Sequence, residues 1–494
     1  MWYSSTSYER RRHNCFPTFY GNGGHLQGIV AIMGEIREKE RRVVVRFPGL
    51  RQTSGPSGVP ARGLERRVQT FIWAFNLTIF VLFTLCYAYQ MFYVFAVFIK
   101  KPRRYLAKKD HRYAAVISGR NESAVIGNLI DSIKAQKYPS DKLDVFVIAD
   151  NCTDDTAEVS RAHGAYVFER FNQELVGKSW ALDYGFKRIL DEYADKNYEG
   201  FFVFDADNVL DKHFVAEMNN VFDQGNEVVT SYRNSKNFAS SWISASYGIW
   251  FLREGKFLSQ ARSVLGNSCA ISGTGWLVST DLIRRDGGWT HHLLTEDIEF
   301  STDLIVHGQK IAYAPNAIVF DEQPITFEAS WRQRMRWSRG FYQVLINYGG
   351  KLLKTIGSSK SFSAFDMFMT IAPGMLLTLA SIVINSICMV IGFVDPNLTM
   401  VVTQTTCEAL LFTLVNFYAI LFGFAVLTVA TEWKQIHART IDKIKYIPMF
   451  PIYMLTYAPI AVIAMFKKVE WTPIKHTVAV SVQDILGEAS TSGK

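Results

Sequence analysis

Four stretches of this chain contain no charged residue, at positions 71–99, 367–394, 409–430 and 446–466, and nothing else limits the fold so strictly. An ionised side chain is costly in hydrocarbon and about 20 apolar residues cross a bilayer, so each stretch reads as a membrane segment. The chain as a whole still has 20% charged residues beside its 49% hydrophobic ones, so a polar domain must be joined to these segments. Pro448, Pro451 and Pro459 interrupt the last stretch. They predict a kinked or re-entrant element, which needs protein around the freed backbone groups.

Basic residues gather beside the apolar stretches. KKPRRYLAKKDHR (100–112) follows the first one directly, and by the positive-inside rule it places the next domain in the cytoplasm. The net charge of +8 is therefore read as topology plus an anionic ligand, with no nucleic-acid partner. The rule conflicts with itself at the two ends. One span before a cytoplasmic domain and three after it leave the arginine-rich N-terminus and KKVEWTPIKH (467–476) outside. The expected layout is a disordered basic tail over 1–68 and a transmembrane helix over 69–100. A cytoplasmic domain over 101–325 and amphipathic interface helices over 326–360 follow, then membrane segments over 361–470 and a tail over 471–494. No signal-peptide pattern opens the chain, and Met33 stands as an alternative start. Six scattered cysteines, Cys15, Cys86, Cys152, Cys269, Cys388 and Cys407, match no zinc, redox or disulfide spacing.

Residues 113–322 alternate between apolar strands and helices: YAAVIS, a helix with Val125, Ile126, Leu129, Ile130 and Ile133, then DVFVIA, AYVFER, and FFVF (201–204). That alternation predicts an α/β fold with a mostly parallel sheet covered on both faces. Ligands of such sheets collect at the carboxyl ends of the strands. DVFVIA runs into Asp150, and FFVF into Asp205, Ala206 and Asp207. Two aspartates one residue apart can hold a hard cation together with a diphosphate, and a polar turn closing the strand has the same composition.

TEDIEF (295–300) opens a helix with Thr295 as a candidate N-cap. Glu296 and Asp297 there suit the helix dipole, and a carboxylate fixed at that point could equally act as a general base. Lys178 in GKSWAL starts another helix, where a cation can meet a phosphate or simply be solvated. The pair His291 and His292 is read as surface or loop. In SWRQRMRWSRGFYQV (329–343) a helix would put Gln333, Arg336 and Trp337 on one face. Trp331, Met335, Tyr342 and Leu345 would form a stripe suited to a lipid surface.

Together these motifs resemble the membrane-embedded, processive inverting glycosyltransferases of family 2, which include cellulose, chitin, hyaluronan and poly-N-acetylglucosamine synthases. The resemblance covers roughly residues 113–345 and implies a GT-A-type nucleotide-sugar-binding domain. Through RNES (120–123) it implies that Asn121 and Glu122 border the nucleotide, and through ADNCTDDT that Asp150 lies at the uridine. GKSWAL makes Lys178 a donor contact. DADN supplies Asp205 toward the nucleotide and Asp207, with Asp205, for a metal, Mg2+ or Mn2+. TED makes Asp297 the base beside Glu296 at the acceptor, and QRMRW puts Gln333 and Arg336 at the diphosphate and Trp337 at the acceptor. SGTGW (272–276) is a looser match that implies acceptor contacts from Thr274, Gly275 and Trp276.

The implied activity moves a sugar of the glucose or N-acetylglucosamine class from a UDP-sugar donor onto a growing β-linked polysaccharide at the plasma membrane. Export is implied too, with a homo-oligomer or an accessory export subunit completing the channel among the membrane lipids. Two other readings stay open: transfer of a single sugar to a lipid-linked acceptor, and a non-catalytic membrane scaffold that senses UDP-sugars.

Overall fold

The computed structural model describes residues 58–396, 398–469, 476 and 478–487. The expectations for residues 1–57, including Met33, lie outside the described residues. An eight-stranded sheet orders as β3-β2-β1-β4-β7-β6-β8-β5. Its strands are β1 (Tyr113–Gly119), β2 (Leu143–Asp150), β3 (Tyr166–Arg170), β4 (Gly200–Asp205), β5 (Val209–Leu210), β6 (Val228–Ser235), β7 (Trp276–Ser279) and β8 (Ile311–Asp321). β3, β2, β1 and β4 run parallel, as does β8 against β6. β7 enters antiparallel between β4 and β6.

The two-residue period of the strands splits the core between the faces. Val116, Phe146, Ile148 and Val203 pack with Leu182, Phe186 and Ile189 of the Lys178–Glu192 helix. Ile117, Val147, Phe202 and Phe204 pack with Leu129, Ile130 and Ile133 of the Ile126–Lys134 helix and with Phe214 and Met218. Fully apolar strands are the consequence of a sheet covered on both sides.

Four helical segments are long and apolar enough to cross a membrane: Gly63–Ile99, Phe362–Val394, Thr399–Thr431 and Met449–Phe466. The first belongs to a helix that starts at Gly58, so residues 58–68, expected in the tail, are helical. Pro60 lies in the first turn, where its missing N–H costs nothing. The last segment is broken as the prolines predict, into Met449–Leu455 and Tyr457–Phe466. The break is covered by Arg334, which is fully buried and donates from Nη1 to Tyr453 O at 3.0 Å and Thr456 Oγ1 at 2.6 Å.

The 326–360 region is one helix, Phe327–Ser359, where several interface helices were expected. Its apolar stripe is not laid on a lipid surface. Met335 and Tyr342 are buried against Ile460 and Ala464, with Trp331 alongside, because the Tyr457–Phe466 helix offers a packed apolar face in the same molecule.

Candidate active site

The register of the parallel strands pairs Gly119 with Ala149 and Ser118 with Asp205, so Asp150 and Asp205 emerge at one edge of the sheet. Asp150 is buried in an ion pair with Arg170, the last residue of β3. Asn121 adopts φ 60°, a left-handed conformation that asparagine tolerates. It closes on Thr153, donating to Oγ1 at 3.1 Å and accepting from the Thr153 N–H at 2.8 Å. It therefore braces the loop that follows β2 and does not itself line the cavity described below.

Lys178 donates to Asp205 Oδ1 at 2.5 Å and to Gly273 O at 2.8 Å, and lies 3.9 Å from Glu296 Oε1. Burial pulls its ammonium pKa down, but the carboxylates of Asp205 and Glu296 more than offset that, and it stays a cation. Burial raises the Glu296 carboxyl, opposed by Lys178. The Gly273 N–H donates to Asp297 Oδ2 at 2.8 Å. One glycine, with φ 79°, therefore holds the lysine through its carbonyl and the aspartate through its amide.

Asp207 is buried, and its Oδ2 accepts from the Glu322 N–H at 3.1 Å. Burial raises its carboxyl pKa, and the nearby Asp321 carboxylate raises it further. A carboxylate so desolvated beside another acid suits a divalent cation, which would relieve both penalties. Its carboxylate also lies 3.9 Å from His476 Nε2.

From the Phe327–Ser359 helix, Gln333, Arg336 and Trp337 face the same space. Arg336 Nη1 donates to Leu294 O at 2.8 Å, Gln333 Oε1 is buried without a partner, and Trp337 meets Tyr247 edge-on at 5.7 Å. The helix can approach because position 340 is glycine. A Cβ there would lie 2.4 Å from Thr295 Oγ1 and 2.5 Å from Thr295 Cγ2. Gly340→Ala is expected to push Arg336 and Trp337 away from Asp297 and lower kcat/KM about 10-fold or more with only a modest fall in Tm; parallel turnover and thermal-shift measurements check this. Thr295 itself precedes the helix without a side-chain cap, contrary to expectation, because its hydroxyl is buried against that close contact.

Three expected acceptor contacts are placed elsewhere. Trp276 opens β7 at 1% exposure, its ring 5.4 Å from Trp289 and 5.7 Å from Phe300. The sheet has already captured the chain through Gly275 N–H to Val203 O at 3.0 Å, so strand alternation sends the indole into the core. Gly275, at φ 69°, has no room for a side chain, since a Cβ would lie 2.6 Å from Ser231 Oγ. Thr274 accepts from the Asp205 N–H at 2.9 Å and donates to Asn208, so it shapes the aspartate turn. The histidine pair lies in a loop, as expected, but packed inward: His291 is buried against Trp289 and Phe300, and the half-buried His292 stacks on Trp180 at 3.6 Å.

Several residues of the site had escaped the sequence reading. Arg233 forms a forked ion pair with Asp321, donates to Ser272 O at 2.9 Å and lies over the Phe251 ring at 3.8 Å. Asp321 ends a buried strand just as Asp150 and Asp205 do, so the strand-end rule could have found it. His476 stands between Glu122 and Asp207, and no local signal in a presumed tail announces it.

These groups line one cavity of about 1050 Å3, which continues from Asp205, Asp297 and Arg336 to Ile79, Phe83, Leu377, Leu414 and Phe417 of the long apolar helices.

A family model described as "Glycosyltransferase like family 2" matches residues 111–340. A probable glycosyltransferase of Bacillus subtilis is 26% identical over 315 residues, which is 59% of this chain and 69% of that protein. The beta-monoglucosyldiacylglycerol synthase of Trichormus variabilis is 27% identical over 372 residues, 70% of this chain and 75% of the relative. The poly-beta-1,6-N-acetyl-D-glucosamine synthase of Staphylococcus epidermidis is 27% identical over 295 residues, 56% of this chain and 68% of the relative. Among solved structures, a mannosyltransferase from Pyrobaculum calidifontis, in complex with GDP-Man and Mn2+, aligns at TM-score 0.51 and 17% identity. That alignment covers 81% of this chain and 99% of the neighbour and shows a shared fold.

Proposed function

We propose, from the match of residues 111–340 to the model "Glycosyltransferase like family 2", that the chain transfers sugar from a nucleotide sugar, that the acceptor is a membrane lipid and that the product is a β-linked glycolipid. The donor is a UDP-sugar of the glucose or N-acetylglucosamine class. The observation that carries the reading is the continuity of the cavity with apolar helix faces. An acyl chain lying among Phe83, Leu377, Leu414 and Phe417 keeps the apolar surroundings it has in the bilayer and strands no polar group. A sugar chain there would strand several hydroxyls per ring, each costing about 1–3 kcal/mol. A relative named for monoglucosyldiacylglycerol synthesis fits this reading.

In the reaction, Asp297 takes the proton of the acceptor hydroxyl as that oxygen bonds to the anomeric carbon, and the bond from that carbon to the diphosphate breaks. A single displacement inverts the centre, so an α-linked donor gives a β-glycoside. Lys178 and Arg336 face the departing diphosphate as cations. Asp207 and Asp205 would hold Mg2+ or Mn2+, which when bound neutralises the same leaving group. The basic segment 100–112 supports a cytoplasmic catalytic domain by the positive-inside rule, on the side where nucleotide sugars are made.

Extension of a polysaccharide is the second reading. It is favoured by Trp337, whose face can carry a pyranose ring, and by the poly-N-acetylglucosamine synthase relative. Purified full-length protein in lipid nanodiscs, given radiolabelled UDP-glucose or UDP-N-acetylglucosamine, separates the two. Label in one organic-extractable glycolipid supports the lipid acceptor, and a ladder of water-soluble polymer overturns it. Donor binding without any transfer would favour the scaffold reading.

A further inference from the structure

Where the polar site meets the long apolar helices, two consecutive charged residues, Arg253 and Glu254, line the cavity. They engage different sides of it. Arg253 donates from Nη2 to Gln90 Oε1 at 2.7 Å, and its guanidinium lies 5.5 Å from the Phe424 ring and 5.6 Å from that of Trp250. Gln90 belongs to the Gly63–Ile99 segment and Phe424 to Thr399–Thr431. Glu254 belongs to the catalytic side, where the Ser272 hydroxyl donates to its Oε2 at 3.3 Å, next to the Gly273 that holds Lys178 and Asp297. A π-helical turn, Glu254–Ser259, starts at this point, and such turns are frequent at functional sites.

Arg262 on the same wall is paired with Asp366. Among the described residues the Arg253 guanidinium has no ion pair, and its one hydrogen bond goes to Gln90. Burial draws its pKa below the usual arginine value, and Glu254 offsets only part of that. A desolvated cation without an anion is costly, and most of its N–H donors are left for a ligand.

We infer that Arg253 is a specificity-determining residue that binds a phosphate ester of the acceptor lipid, so that the acceptor is a phospholipid with a free hydroxyl on its headgroup. The premise is the lipid acceptor proposed above. Guanidinium and phosphate match through two parallel N–H donors. The order of charges along the cavity sets the order of groups in the ligand: acyl chains among the apolar side chains, phosphate at Arg253, and the hydroxyl beyond it. There Glu254 and Asp297 can accept from a hydroxyl, whereas they would repel a phosphate. The phosphate ester stays intact. The headgroup hydroxyl loses its proton to Asp297 as its oxygen bonds to the anomeric carbon and UDP departs.

The test uses the full-length protein in phosphatidylcholine nanodiscs carrying equal mole fractions of either phosphatidylglycerol or diacylglycerol, with radiolabelled UDP-glucose and UDP-N-acetylglucosamine. Wild type should glycosylate phosphatidylglycerol with a kcat/KM about 10- to 100-fold above that for diacylglycerol, the range of a charged hydrogen-bonded contact. Arg253→Gln should bring that ratio near unity, and Arg253→Lys should keep part of it. Because the ratio is taken within one variant, a smaller folded fraction does not move it. An equal or higher kcat/KM for diacylglycerol in wild type, or a ratio that survives Arg253→Gln, overturns the phosphate contact and leaves the lipid acceptor intact. Transfer to soluble glycerol phosphate as efficient as to phosphatidylglycerol overturns the lipid as the source of the phosphate. Water-soluble polymer with no glycolipid from either lipid overturns both readings.

Discussion

Asp297→Asn should reduce kcat by about 10²- to 10⁴-fold, the usual range for loss of a positioned general base, while UDP binding and Tm stay close to wild type. The asparagine carbonyl can still accept the Gly273 N–H that now meets Asp297 Oδ2 at 2.8 Å, so the helix start keeps its place. What disappears is the group proposed to take the acceptor proton. Single-turnover transfer from a UDP-sugar, read beside isothermal titration with UDP, measures the two quantities separately. Retention of wild-type turnover would remove Asp297 as the base. A parallel loss of UDP binding would instead assign it a structural part.

Asp366→Ala should destabilise the protein by about 3–5 kcal/mol, the cost of leaving a buried ion without its partner. Asp366 accepts from Arg262 Nε at 2.5 Å, from Tyr89 Oη at 2.6 Å and from Tyr93 Oη at 3.0 Å. Both charged side chains are almost wholly buried. The cluster joins the Gly58–Ile99 helix, the Gln260–Leu265 helix and the Phe362–Ile371 helix, so its loss should loosen the two long apolar helices from the residues around Gln260–Leu265. The double variant Arg262→Met, Asp366→Leu should recover most of the stability, since matched apolar groups replace a buried pair at little cost. Unfolding midpoints in a fixed detergent test both. A double variant as unstable as the single one would show that the tyrosine bonds, not the ion pair, carry the effect.

The parts of the site legible in the sequence are those whose chemistry is local. Asp150 and Asp205 end apolar strands, Asp297 opens a helix, and Gln333, Arg336 and Trp337 share a helical face, so period and position suffice to nominate them. The errors arise where a neighbour in space decides direction. SGTGW has the composition of a binding loop, yet it is Gly273 that bonds Lys178 and Asp297, because the sheet has captured the chain by Gly275. Met335 and Tyr342 have the spacing of a lipid-facing stripe, yet they are covered by Ile460 and Ala464.

By itself the sequence determined which segments avoid charge, where the first four parallel strands lie and that Asp150 and Asp205 end two of them. These are properties of composition and short-range periodicity, set within about 20 residues of chain. Only the tertiary structure decided that Trp276 points into the core, that Arg233 pairs with Asp321 and that His476 reaches Glu122 and Asp207. It alone joined the polar site to an apolar cavity among the long apolar helices. The physical reason is that burial and pairing depend on which distant segments close on one another, and that choice is made by packing of the whole chain rather than by any local pattern.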